Sequence, residues 1–517
     1  MSIIVRCLTI AAVLASTVGC AVNPVTGKQE FSLVSGEQEV AIGSQNYAPS
    51  QQSQGGRYYL DPEVQVYVAE VGRKLAAVGD RKELPYEFVV LNNSVPNAWA
   101  LPGGKIAINR GLLTHLDDEA QLAAVLAHEI VHAAARHSAA QMSRGTLIGL
   151  GAAAVGIASQ QTGFGQLGGM AGQMGAAAWM AQYGRGAELE SDAYGMEYMV
   201  RAGYDPLGAV KLQQTFVKLS EGRQRDFFSG LFASHPPSQE RVSANQLKAQ
   251  SYPPGGATNR DRYQQKISRI TKDQAAYDAQ DKALKALKSK DPKTALSHLD
   301  KAIKLQPREG QFYELRGHAW RMLENTTNAD RDFSAAIQKN PDYFSHHLAR
   351  GIARYENDKQ PSARTDLERS YTLLPTPIAS LYLGDIAADS GQKQQAIEYY
   401  QQAAQDKGEM GKQAQGKLAT LEMASVPHKY IASQVFVNND GYLYVAIRNN
   451  SAVAVADITV ELTEMLNAFM AGSSAQLRGP RTLAAGQQVT IRTGIGPFND
   501  SGAANRYRAK VIAAKPQ

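Results

Sequence analysis

The stretch Asp118–His137, DEAQLAAVLAHEIVHAAARH, decides how the rest of the chain is read. Asp118 with Gln121 three residues on predicts an N-cap and capping box, so the segment is expected to be helical. Positions i and i+4 share a helix face, and His128 and His132 can therefore present imidazole nitrogens to one zinc ion. Glu129, one residue after the first ligand, can reach a zinc-bound water as general base. Structural zinc sites close with four protein ligands, whereas catalytic ones use three and leave a position for water. Downstream lies RGAELESDAYGMEYM, Arg185–Met199, again helical in pattern, with Glu188 and Asp192 four apart on one face. Glu188 is the candidate third ligand, and Asp192 the candidate acceptor for the non-ligating nitrogen of a zinc-bound histidine. Glu190 and Glu197 remain competing choices for the ligand.

Composition fits this reading. At 517 residues the chain is too long for one ordinary domain, and about 150 residues per domain suggests three or four. Hydrophobic residues make up 44% and charged ones 20%, which excludes a collagenous, mostly disordered or multi-pass membrane protein. The formal charge is 54 − 48 = +6, and the basic residues are scattered, so no nucleic-acid partner is expected. The only cysteines are Cys7 and Cys20, so no disulfide framework exists.

The opening MSIIVRCLTIAAVLASTVGC reads as a secretory signal over residues 1–19, too short for a permanent span. Its end, TVGC, resembles a bacterial lipobox, although Thr17 stands where Leu is commoner. Cleavage before Cys20 would leave a thiol for lipidation, and acyl chains then hold the chain to a membrane at roughly 0.8 kcal/mol per buried methylene. With the thiol capped, the third metal ligand has to be His, Glu or Asp. Ala21, in place of Asp, favours the outer membrane.

Residues 20–250 are expected to form the catalytic domain, turn-rich as far as about residue 60 apart from a helical pattern around Glu37–Ile42. The cluster YPPGG at Tyr252–Gly256 marks a linker, taken as 251–272. From 273 to 425 the pattern is helical and repeats. Pro307, Pro341 and Pro375 are 34 apart, as are Ala295, Ala329 and Ala363, and Leu299, Phe333 and Leu367. Gly317 and Gly351 keep the step, and Gly384, Ala396 and Tyr400 follow 33 on. This period resembles the tetratricopeptide repeat, whose helical hairpins stack into an α-solenoid with a concave groove. Over 426–517 the pattern switches to alternation, as in Leu443/Val445/Ile447 and Ile458/Val460/Leu462, which predicts a small β-sandwich.

LAAVLAHEIVH, the Glu188/Asp192 pair, the upstream NAWALPGGKIAINRGLL and the later SHPPSQER together resemble the zinc metallopeptidases that include the CAAX prenyl endopeptidase and the bacterial HtpX proteases. The opening NPVTGKQEFSLVSGEQEVAIG and the helical repeats look most like the periplasmic β-barrel assembly-enhancing protease branch. Motifs carry the resemblance over about residues 20–245 and architecture carries it through the repeats; the C-terminal strands are extra.

The resemblance implies a mainly α, zincin-like domain with a small β-sheet and one zinc ion per chain. His128, His132 and Glu188 would be the ligands and Glu129 the base. The strand around Asn97–Leu101, with Asn97, Ala98, Trp99 and Ala100, would be the edge to which a substrate adds as a strand. His235 would lie near the zinc, as a resting fourth ligand or as a donor to the oxyanion; read alone it is a loop histidine. His137 is read as structural. The function implied is a lipid-anchored periplasmic zinc endopeptidase that cleaves misfolded or stalled envelope proteins. Its repeats would capture substrates or the outer-membrane assembly machinery. The alternative is a chaperone-like docking adaptor with a mostly latent protease domain. The Gly- and Ala-rich segment Gly145–Met180 is expected to be a lid or plug, with a membrane-dipping segment as the other reading.

Overall fold

A computed structural model describes residues 20–145, 183–221, 229–467 and 469–517. The signal expected over 1–19 and all but the first residue of the lid expected over Gly145–Met180 lie outside these, and of Cys20 only the backbone is described. The chain is rich in helices, with small sheets, and divides into two units, Met1–His346 and His347–Gln517. Among the described residues no helix is long and apolar enough to cross a membrane.

The first unit opens with an antiparallel hairpin, β1 (Cys20–Val22) and β2 (Gln29–Phe31), and then α1 (Gly36–Ser53). Helix α1 is longer than the pattern around Glu37–Ile42 predicted. A complete capping box explains its start, since Ser35 Oγ accepts from Gln38 N and the Gln38 side chain accepts from Ser35 N. Helix α2 (Pro62–Ala76) starts with Asp61 as N-cap and leads to a three-stranded sheet. Its central strand is β5 (Lys105–Asn109), parallel to β3 (Glu87–Leu91) and antiparallel to β4 (Ala98–Leu101). Among the described residues β4 pairs only with β5.

A short turn of helix, α3 (Arg110–Leu113), leads to α4 (Glu119–Ala134), every residue of which is buried. Asp118 caps α4 by accepting from Gln121 N at 2.9 Å, but the capping box is incomplete, because Gln121 Nε2 turns to Asp117 Oδ2. Helix α5 (Arg185–Arg201) crosses α4 where Gly195 meets His128: a Cβ there would stand 3.1 Å from His128 N. Glycine lets the two backbones come that close without a tight Cβ contact, and the crossing brings Glu188 and Asp192 to the HEIVH face. Helices α6 (Leu207–Glu221), α7 (Ser229–Ser234) and α8 (Gln239–Gln250) complete the surround.

The expected linker, 251–272, is corrected at Arg260, where α9 (Arg260–Lys288) begins. Its sequence is polar enough to pass for a connector, yet Tyr263, Ile267, Ile270 and Tyr277 recur at helical spacing and bury into the core that holds Val64, Leu122 and Ile130. Tyr263 donates to Leu113 O at 2.6 Å, and Asn259 Nδ2 to the buried Glu119. Only 251–259 is left as a connection.

The repeats follow as α10 (Pro292–Leu305), α11 (Gly310–Met322), α12 (Thr326–Lys339), α13 (Phe344–Tyr355), α14 (Gln360–Leu373), α15 (Pro377–Asp389), α16 (Lys393–Ala403) and α17 (Glu409–Glu422). Pro307, Pro341 and Pro375 fall between helices, as their spacing predicted. The periodic Gly is a packing device: a Cβ at Gly317, Gly351 or Gly384 would collide with Phe333, Leu367 or Tyr400 at 2.5–2.8 Å. Each hairpin is held by a large side chain seated on bare backbone.

In the second unit the strands β6 (Ile431–Val437), β7 (Leu443–Asn449), β8 (Val455–Met465), β9 (Ala471–Arg478), β10 (Thr482–Leu483), β11 (Gln488–Arg492) and β12 (Tyr507–Pro516) form two antiparallel sheets. One has the order β11-β7-β6; in the other, β8 lies between β10 and β12 and also pairs with β9. The alternating residues Leu443, Val445 and Ile447 from one sheet and Ile458, Val460 and Leu462 from the other share a single apolar core.

Candidate metal centre

His128 and His132 lie one turn apart on α4 with their Nε2 atoms 3.0 Å apart. Glu188, from α5, reaches both: Oε1 is 3.3 Å from His132 Nε2 and Oε2 is 3.5 Å from His128 Nε2. His235, just after α7, brings Nδ1 to 3.3 Å from His128 Nε2 and 3.1 Å from Glu188 Oε1. These four buried residues place one ligand atom each within 4.8 Å of one another. Glu129 is beside them, its Oε1 3.4 Å from His235 Nε2 and its Oε2 buried with no hydrogen-bond partner.

The two flanking helices set the polarity of the cluster. Asp192 accepts from His128 Nδ1 at 2.9 Å, which holds a proton on the outer nitrogen and turns Nε2 inward, where it can offer a lone pair to a metal. Asp192 is itself gripped by Arg241 of α8, through Nε and Nη2 at 2.7 Å each, and Arg241 Nη1 sits 2.8 Å from Glu188 Oε2. Burial would raise the Asp192 carboxyl, but Arg241 outweighs it and holds the group below the usual range. Glu188 is likewise held far down against burial, first by His235 and then by His128. Glu129 goes the other way: burial dominates and pushes its carboxyl up. Burial works against a charge on His128, yet hydrogen bonds to Asp192 and Glu188 push the ring up to about 10, while burial holds His132 well below its usual value.

The donor set fits a divalent cation. Imidazole lone pairs 3.0 Å apart repel unless a positive charge lies between them, and an ionised Glu188 completes a two-nitrogen, one-oxygen set. Of the competing carboxylates, Glu190 turns to His137 and Asn23, and Glu197 pairs with Arg201, so neither joins the cluster. His137, read as structural from sequence, stands with Nδ1 2.9 Å from His132 Nδ1. Two residues went unread. Arg241 ends the quoted SHPPSQER but was given no role. Tyr183 stacks on the His132 ring at 3.9 Å between centroids and hydrogen-bonds Ser138. An apolar pocket next to Glu129 is walled by Ala98, Leu112, Val125, Met196, Leu212 and Phe216. Of the other edge-strand residues, Asn97 is buried and its carbonyl accepts from Asn109 N, and Trp99 and Ala100 are buried in β4.

Two histidines one helical turn apart, a carboxylate delivered by a second helix and a glutamate next to the first histidine define the HEXXH class of metallopeptidases. The profile of Peptidase family M48 matches residues 62–248, and a Tetratricopeptide repeat profile matches residues 348–409. Metalloprotease YcaL of Escherichia coli (strain K12) is 32% identical over 183 residues, covering 34% of this chain and 68% of that protein. The chain belongs to peptidase family M48. The β-barrel assembly-enhancing protease of Yersinia pestis is 30% identical over 238 residues, 44% of this chain and 48% of the relative, so the chain spans about half the length of that protein. Mitochondrial metalloendopeptidase OMA1 of Schizosaccharomyces pombe (strain 972 / ATCC 24843) is 30% identical over 225 residues, 42% of this chain and 63% of the relative.

Proposed function

We propose that the chain is a zinc-dependent endopeptidase of the bacterial envelope. It is anchored to a membrane, the outer one, through lipidated Cys20, faces the periplasm, and cleaves misfolded or stalled envelope proteins. The observation that carries the reading is the convergence of His128, His132 and Glu188 within 4.8 Å, with Glu129 alongside. His128, His132 and Glu188 hold the ion, and Asp192 orients His128. Zinc bound there supplies a polarised scissile carbonyl and a water acidified toward pKa roughly 7. Glu129, its carboxyl raised by burial, takes a proton from the attacking water and passes it to the leaving amine. The free side of β4 (Asn97 and Ala98–Leu101) offers main-chain groups to an extended substrate, beside the apolar pocket at Glu129.

On this reading residues 20–250 are a zincin-like domain, 273–425 a repeat solenoid that captures substrate or assembly machinery, and 426–517 a β-sandwich. The relatives named for β-barrel assembly support an envelope substrate. A second reading, a docking adaptor with a latent protease, draws on His235, whose ring stands between Glu188 and Glu129, where it can act as a resting fourth ligand or later as an oxyanion donor.

The test is metal analysis with cleavage of an unfolded outer-membrane protein. Chelator should abolish cleavage and zinc restore it. Glu129→Gln should keep the metal and lose about 10²–10⁴-fold in kcat. Wild-type protein that binds zinc but cleaves nothing, even as His235→Ala, favours the adaptor.

A further inference from the structure

His132 and His128 are oriented by different devices. His128 donates straight to a carboxylate, Asp192. His132 points Nδ1 away from the cluster at another imidazole, His137 Nδ1, 2.9 Å away. The far nitrogen of that ring, His137 Nε2, lies 3.2 Å from Glu190 Oε1. Glu190 Oε1 also accepts from Asn23 Nδ2 at 2.9 Å. Asn23 sits in the turn between β1 and β2, is 2% exposed, and uses its remaining atoms on Glu30, Val25 N and Thr26 N.

These contacts leave one proton arrangement. If His132 Nε2 binds a metal, its proton must be on Nδ1, and among the described residues the close acceptor there is His137 Nδ1. His137 must then carry its own proton on Nε2, where Glu190 accepts it. We propose that His137 is a positioning residue for the metal centre, fixing the tautomer and plane of His132 through a relay that runs His132–His137–Glu190–Asn23 and ends in the N-terminal hairpin. The proposal rests on the reading of the cluster as a metal centre. It gives the segment three residues beyond Cys20 a part in holding the second ligand, and it makes the two ligand histidines unequal, one polarised by a carboxylate and the other by a neutral ring.

The experiment measures zinc affinity of the full chain by competition with a chromogenic chelator. His137→Leu removes the acceptor and should weaken zinc binding about 10–100-fold. His137→Gln can accept with Oε1 and donate with Nε2, so it should recover most of that loss, which a purely space-filling role does not predict. Glu190→Leu and Asn23→Leu, further along the relay, should lose progressively less and serve if the His137→Leu chain does not fold. Wild-type affinity in His137→Leu, or in Glu190→Leu should the former not fold, overturns the relay, as does a Gln variant as weak as the Leu one. Wild-type protein that takes up no zinc overturns the metal centre itself, and the relay with it.

Discussion

Arg316 and Arg350 stand one repeat period apart, and each reaches the aspartate sixteen residues on, Asp332 and Asp366, through paired contacts of 2.6–2.9 Å. Each of these arginines thus meets its aspartate within one hairpin. Around α4 the arrangement is the opposite. Two imidazole nitrogens face each other at 3.0 Å, Glu129 Oε2 has no partner among the described residues, and the single guanidinium of Arg241 serves both Asp192 and Glu188. A repeat is expected to take a substitution with local damage, whereas in the cluster one guanidinium serves two buried carboxylates. Glu129 Oε2 is a buried acceptor left open beside the cluster, and a group already paired has nothing to offer a substrate or an ion.

The largest test of this contrast is Arg241→Leu. It strips the counter-charge from two buried carboxylates at once and should cost about 3–5 kcal/mol, read as the urea midpoint of the zinc-free chain. A loss no greater than that of a repeat substitution would erase the distinction. Next is Gly317→Leu, which forces a side chain into the space held by Phe333 and should cost about 1–3 kcal/mol. Its melting transition should fall while zinc affinity stays unchanged, the signature of local damage. The smallest effect is expected at Glu314, which bonds Ser345, His346 and His318 between α11 and α13. Burial raises its carboxyl but the two histidines lower it further, below the ordinary 4.5. A depressed carboxyl contributes stability that is complete above 4.5 and lost as pH falls below it. Glu314→Gln should therefore lower stability modestly at neutral pH, where the charged carboxyl contributes in full, and flatten the acid limb below pH 4.5, as measured by denaturation at stepped pH.

Much of the site was legible because helical spacing is rigid. The four-residue interval in His128/His132, and again in Glu188/Asp192, fixes which side chains share a face before any fold is known. The repeats were legible for the same reason, since a 34-residue step survives even where Leu299, Phe333 and Leu367 differ in kind. What stayed hidden depends on contacts across long stretches of chain. Asn23 meets Glu190 across 167 residues, and Arg241 meets Asp192 across 49, and no local pattern records either. Helix α9 was missed because its buried tyrosines and isoleucines are diluted by charge, so composition imitated a connector. His137 was read as structural, and its contacts with His132 and Glu190 were not legible, because a histidine beyond the motif says nothing about which way its ring turns.

The crossing at Gly195 carries a consequence for how the centre tolerates change. The interval between the two ligand helices is set by main chain against main chain, at a spot where even a methyl would press on the amide of His128. The dimensions of the ion-binding cavity are thus inherited from an absent side chain, not from the donors that line it. An added methyl there would press on the helix that carries both histidines, so the separation of His128 from Glu188 depends on Gly195 as well as on the side chains that face each other.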